Sequence, residues 1–152
     1  MENNNQEKIE DPITYKIIGS AMRVHATLGN GFQEVIYQRA LAIEFKNALI
    51  SFERELEVPI YYSEEHIGTR RVDFLVENSV LVELKAVTQI DDIHLAQGLN
   101  YLVAYKLDKD LLINFGAKSL EVKRLRHPRN KMPGTIPKIQ KSVNPINPNA
   151  DI

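Results

Sequence analysis

The sequence predicts a mixed α/β (α+β) fold, a mixed β-sheet flanked by helices. Two observations carry this. The hydrophobic period changes along the chain, from helical spacing in the first fifty residues to short apolar or alternating runs thereafter. The resulting order of helix, helix, a group of strands, helix, strand, strand is that of helices packed on a mixed sheet.

Residues 1–10, MENNNQEKIE, are polar and read as a disordered lead. Asp11-Pro12 suits a helix start, with aspartate at the N-cap and proline in the first turn. Ile13, Ile17, Ala21, Val24 and Leu28 then recur at helical spacing up to Gly29-Asn30-Gly31. A second helix is expected from about Phe32 to Ala48. Leu49–Glu53 and Leu56–Tyr62 read as strands, followed by a polar turn over Ser63–Gly68. Arg70–Glu77 and Val80–Val87 form a hairpin around Asn78-Ser79. Asp91 or Asp92 caps a third helix reaching about Lys106, and Leu111–Phe115 and Leu120–Arg126 are the last strands. The domain is therefore expected over 11–126. Residues 127–152, rich in Pro, Asn and Lys, read as a flexible tail.

Of the 152 residues, 43% are hydrophobic and 26% charged, which suits one domain with a single core. With no cysteine, disulfides, thiolate nucleophiles, iron–sulfur clusters and cysteine zinc sites are excluded. No stretch is long enough to span a bilayer or to serve as a signal peptide, so a cytoplasmic protein is expected. The formal net charge is −1, so affinity for nucleic acid requires a local basic patch. Lys118, Lys123, Arg124, Arg126, Arg129, Lys131, Lys138 and Lys141 concentrate near the C-terminus. They suit either phosphate steering or a plain solvated tail.

Charges inside apolar strands carry the chemistry. In VLVELKAV, Glu83 and Lys85 share one strand face, where burial is costly without a partner or a metal. Alone, such a pair reads better as an ion pair at the mouth of a sheet. Asp73 interrupts the preceding strand in the same way. A two-residue turn at Asn78-Ser79 would set Asp73 opposite Leu84, whereas a three-residue loop or a bulge sets it opposite Glu83. Paired carboxylates call for a cation between them, and magnesium with oxygen ligands fits. An odd-length loop or bulge is therefore expected. Glu34 heads a helical stripe with Tyr37, Leu41 and Phe45; it either favours the helix start or reaches a site. His94, Gln97 and Tyr101 share a polar stripe of the third helix, which is also what a solvated face looks like.

Taken together, these residues resemble the GxxExxY family, a branch of the PD-(D/E)XK nuclease superfamily close to RecB-type nucleases. The resemblance runs from about Tyr15 to Arg126. It rests on Gly31-Phe32-Gln33-Glu34-Val35-Ile36-Tyr37 preceded by Val24-His25 and Leu28-Gly29, on Val72-Asp73 with Glu83-Leu84-Lys85, and on Gln97-Gly98-Leu99-Asn100-Tyr101. Val72 stands where the superfamily name has proline, and Asn30 where relatives often have proline.

The resemblance implies a restriction-endonuclease-like fold and a metal-dependent nuclease acting on DNA, with Mg2+ or alternatively Mn2+ as cofactor. Asp73 and Glu83 would hold the metal, helped by Glu34 and the Leu84 carbonyl. Lys85 would position or activate water, and Gln97 and Tyr101 would orient Lys85 or contact phosphate. A histidine at the place of His25 adds a metal ligand in RecB-like relatives, although its apolar helix face suits a core histidine. The competing readings are a catalytically silent module that binds nucleic acid or protein on the same fold, and a structural role as a homodimer.

Overall fold

The computed structural model describes residues 11–128, so the expectations for 1–10 and for 129–152 lie outside the described residues. Among the described residues, three helices and five strands run in the order α1 (Pro12–Leu28), α2 (Glu34–Asn47), β1 (Phe52–Tyr62), β2 (Glu65–Val76), β3 (Val80–Lys85), α3 (Asp92–Tyr105), β4 (Lys109–Asn114) and β5 (Glu121–Arg126). The sheet keeps chain order, β1-β2-β3-β4-β5. Every neighbouring pair is antiparallel except β3 and β4, which α3 connects as a crossover.

Both faces of the sheet are covered. Ile17, Ala21 and Val24 of α1 and Tyr37, Leu41 and Phe45 of α2 pack on Phe74, Val82, Leu84 and Ile113. On the other face, Tyr101, Leu102 and Ala104 of α3 pack on Val58, Val72 and Leu81. β3 is apolar on both sides because each face meets a helix layer. That is why VLVELK does not alternate and why its two charges stand out. Among the described residues no helix is long and apolar enough to cross a membrane.

Three details depart from the sequence reading. β1 is one strand rather than two. Leu49 and Ile50 belong to the exit from α2, where Leu49 takes a left-handed conformation (φ 58°). The expected break falls at Glu55, which has φ 58° and is skipped in the β1–β2 ladder between Arg54–Phe74 and Leu56–Val72. The turn between β1 and β2 is only Ser63-Glu64, both at positive φ, since Tyr62 already pairs with Glu65. Finally, His127, placed in the tail by composition, is buried, and its N–H donates to the Asp108 carbonyl. The domain thus continues past β5 by at least this residue.

Candidate active site

β2 and β3 pair as Phe74–Val82, Leu75–Leu81 and Val76–Val80, leaving a three-residue loop of Glu77, Asn78 and Ser79. The odd-length connection expected from the sequence is present, and Glu77 and Asn78 accommodate it at φ 51° and 53°. The register sets Asp73 opposite Glu83. The ladder ends at Phe74–Val82. Beyond it, the Asp73 carboxylate takes the place of a backbone acceptor, receiving the Leu84 N–H at 2.8 Å. Asp73 therefore lies in the opening between the strands rather than squarely on the Glu83 face. Gln38 of α2 donates to its other oxygen at 2.7 Å.

The chain is bent at this opening. Val72 belongs to the core under α3 and Phe74 to the core under α1 and α2. Residues two apart on a regular strand share a face, so β2 twists sharply through Asp73. Directly across β1 stands Glu55 with its positive φ. A non-glycine residue in that region costs on the order of 1–3 kcal/mol. Packing on both faces holds the strain where the carboxylate must turn.

Glu83 is 5% exposed, and its carboxyl faces Asp110 at the start of β4, which is fully buried. Burial foremost pushes Glu83 up to about 7. The charge on Asp73 adds to that rise, while contact with Asp110 and the Lys85 ammonium pull the other way. Burial and the neighbouring Glu83 hold Asp110 far above the usual carboxylate range. Asp73 is raised by burial against the Leu84 and Gln38 hydrogen bonds and the attraction of Lys85, with Glu55 adding repulsion. Tyr101, buried on α3, is raised by burial and then by the charge of Glu83. Asp73, Glu83, Lys85 and Tyr101 thus form one electrostatic cluster.

The other expected residues lie around it. Glu34 is exposed in the first turn of α2, one turn before Gln38 on the same stripe. Among the described residues no hydrogen bond or ion pair joins it to Asp73. Gln97 is half-buried next to Gly98. Leu84 points its side chain into the core and gives its N–H to Asp73. His25 has one ring nitrogen 3.1 Å from the Ala117 carbonyl and lies against Phe115, as a core histidine would. His94 is in a capping box with Asp91. Tyr37 is structural. Its hydroxyl donates to the Gly29 carbonyl at 2.6 Å and accepts from the Phe32 N–H, and its ring stacks on Phe115.

Sequence reasoning missed Gln38, Asp110, Glu55 and Asn114. Gln38 was signalled by its i+4 spacing from Glu34, and Asp110 by a charge abutting the apolar run LLINF. Asn114, fully buried, clamps Val87 through its N–H and carbonyl at 3.0 and 2.9 Å. That fixes the chain just after Lys85. Gly116 passes so close that a Cβ would fall 2.4 Å from Val87 backbone atoms, so Gly116→Ala is incompatible with this clamp.

The titration of Glu83 has a testable sign. Its folded-state value near 7 lies above the ordinary glutamate value of 4.5, so the folded chain binds more protons between those limits. Its contribution to stability is full below about 4.5 and is lost as pH rises through about 7. Chelator-treated protein is expected to melt higher at pH 5 than at pH 8 by circular dichroism. The reverse order would show that the carboxyl pair is not buried as described.

The donor set, carboxylates with buried oxygens lacking hydrogen-bond partners on Glu83 and Asp110, suits a hard divalent cation. Among the described residues, no three acidic or imidazole side chains form a ready-made cage. One or two carboxylates completed by water and phosphate would be the magnesium pattern.

The sequence model of a family described as "PD-(D/E)XK nuclease superfamily" matches residues 11–125. No curated protein matches the chain. A solved structure titled "Crystal structure of SSO0001" is similar with a TM-score of 0.43 and 14% identity, over 79% of this chain and 80% of that one.

Proposed function

This chain belongs to the PD-(D/E)XK nuclease superfamily, and from that premise we propose that it is a magnesium-dependent nuclease hydrolysing phosphodiester bonds in DNA, with manganese able to replace magnesium. Its five-stranded mixed sheet with three flanking helices is a restriction-endonuclease-like fold. Within the superfamily we place it in the GxxExxY branch close to RecB-type nucleases, on the motifs around Glu34 and Gln97. The observation that carries the proposal is the buried cluster at the end of the β2–β3 ladder, where Asp73 accepts the Leu84 N–H and its charge and that of Lys85 both act on Glu83.

Asp73 and Glu83 hold the cation, with the Leu84 carbonyl beside them. Glu34 is available from the outer turn of the Gln38 stripe and His25 from α1 if its ring leaves Ala117. When bound, the cation would supply Lewis acidity toward the scissile phosphoryl group. Gln38 and the Leu84 N–H fix the orientation of Asp73 by occupying both its oxygens. Lys85 orients the attacking water and stabilises charge developing on phosphate, a role suited to a cation in a partly buried site. Gln97 and Tyr101 of α3 position Lys85 or hold a neighbouring phosphate. The test is Mg2+-dependent cleavage of labelled single-stranded, duplex and branched DNA by wild type and Asp73→Ala. Cleavage lost in the variant supports the nuclease. Binding without cleavage by both would turn the reading toward a silent binding module.

A groove of about 970 Å3 lined by Lys16 and Arg23 of α1 and Arg124 and Arg126 of β5 lies on the α1 side of the sheet, whereas Glu83 and Lys85 share the β3 face that α3 covers, so this basic surface stands apart from the carboxylates.

A further inference from the structure

We propose that Asp110 joins Glu83 in holding the divalent cation, adding a carboxylate that the signature Asp73, Glu83 and Lys85 does not contain. This rests on the reading of Glu83 as a metal-holding residue and extends it to β4.

Both carboxylate oxygens of Asp110 and Oε2 of Glu83 are buried without a hydrogen-bond partner. The large majority of buried side-chain polar atoms are partnered, so three orphaned oxygens in one place call for a cause. The two side chains border the same spot. A Cβ placed on Gly98 of α3 would lie 3.1 Å from Asp110 Oδ2 and 3.2 Å from Glu83 Oε2. The same point lies 2.4 Å from Leu125 Cδ1, so α3 crosses closely here with both acids beneath it, and a side chain at Gly98 would require Leu125 to move.

Among the described residues no cation neutralises Asp110. Its neighbour Lys109 reaches away to Asp11 at 2.7 Å. The Lys85 ammonium acts on Glu83 and Asp73, and Asp110 feels only burial and Glu83. Two facing carboxyls in a low dielectric need something positive between them, either a proton or a metal ion. Oxygen donors alone select magnesium or manganese over zinc or copper. The acidic line then runs Asp73, Glu83, Asp110 across three adjacent strands, with Tyr101 above it.

The two occupants are separated by Asp110→Asn. Asparagine keeps the size and shape and can donate to Glu83, reproducing a shared proton while removing a metal ligand. Mn2+ binding to the full chain at pH 7.5 is measured by calorimetry, beside melting curves with and without Mn2+. Asp110→Asn is expected to weaken Mn2+ by about 10- to 100-fold, to lose the thermal shift given by Mn2+, and to melt higher than wild type without metal. Asp110→Leu, apolar and close in volume, gives the same loss should the asparagine variant fold poorly. Wild-type Mn2+ affinity in both variants overturns the proposal and leaves Asp110 as the proton partner of Glu83. If Asp73→Asn abolishes binding in that case, the Asp73–Glu83 site still stands. No Mn2+ binding by wild type overturns both.

Discussion

Lys85→Ala is expected to lower Mg2+-dependent DNA cleavage by about a thousandfold while leaving the fold intact, the size of effect seen when one preorganised charge is removed from a transition state. Lys85 ends β3 half-buried, and among the described residues its ammonium makes no ion pair. Its truncation should therefore cost no more than about 0.5 kcal/mol of stability. The charge nevertheless acts on the site, since it pulls both Asp73 and Glu83 toward ionisation. Removing it leaves two carboxylates with less positive potential around them, so Mn2+ affinity in the variant should be equal to or tighter than in wild type. Tighter metal with lost turnover is the signature of a group that works on the reacting phosphate. Single-turnover cleavage read beside calorimetry checks both halves. Cleavage within tenfold of wild type would remove Lys85 from the chemistry. A matched loss of metal affinity would make it a structural support for the carboxylates. Lys85→Arg should not restore the rate, because a planar fork cannot occupy the place of a compact ammonium.

The site was legible in the sequence to the extent that burial makes charges expensive. Glu83 and Lys85 stood out because the rest of β3 is apolar, and Asp73 for the same reason in β2. The loop parity joining them followed from the requirement that two carboxylates share one ion, and the three-residue loop meets it. Gln38 and Asp110 left only a faint local signal because their importance is tertiary. Gln38 becomes an Asp73 ligand only when α2 lies over the strand opening. Asp110 becomes a partner of Glu83 only through the parallel pairing of β3 with β4, which places Asp110 beside Leu81. Parallel register is set by a helix crossover and leaves no local trace.

The same division holds for the fold. Helix ends carrying Asp11-Pro12 and Asp91 were visible because capping is local chemistry. The β1–β2 hairpin was read as three pieces because its tip, YSEEHIG, is polar and composition there resembles a loop. Its outer half extends from the core as exposed antiparallel ladder, with Tyr62 and Ile67 more than half exposed, so no buried face imposes alternation. The apparent break at Arg54-Glu55 coincides with the positive φ of Glu55 and the missing pair at Asp73 on the neighbouring strand. A local conflict in the sequence thus marked a strained place beside a buried carboxylate.

The bend of β2 at Asp73 is held by one aromatic cluster, and Phe74→Ala is the substitution expected to cost most. Phe74 is fully buried, meeting Phe45 of α2 edge-on at 5.2 Å and Phe52 of β1 at 5.6 Å. Removing such a ring from a core with no room to collapse costs about 3–5 kcal/mol, from lost transfer energy and the cavity left behind. In a domain of this size that is a drop in melting temperature of roughly 10 °C. The consequence for the site follows from adjacency. Phe74 anchors β2 on the α2 side immediately after the residue that turns into the strand opening, so its loss frees Asp73 from Gln38 and Leu84 together. Mn2+ affinity should fall with stability in Phe74→Ala, whereas Phe52→Ala, a ring only partly buried two strands from Glu83, should destabilise less and leave metal binding near wild type. Thermal melts and Mn2+ titrations on the two variants separate the cases. If Phe74→Ala melts normally, or melts low but binds Mn2+ as wild type does, the strained turn at Asp73 is held by something other than the aromatic cluster.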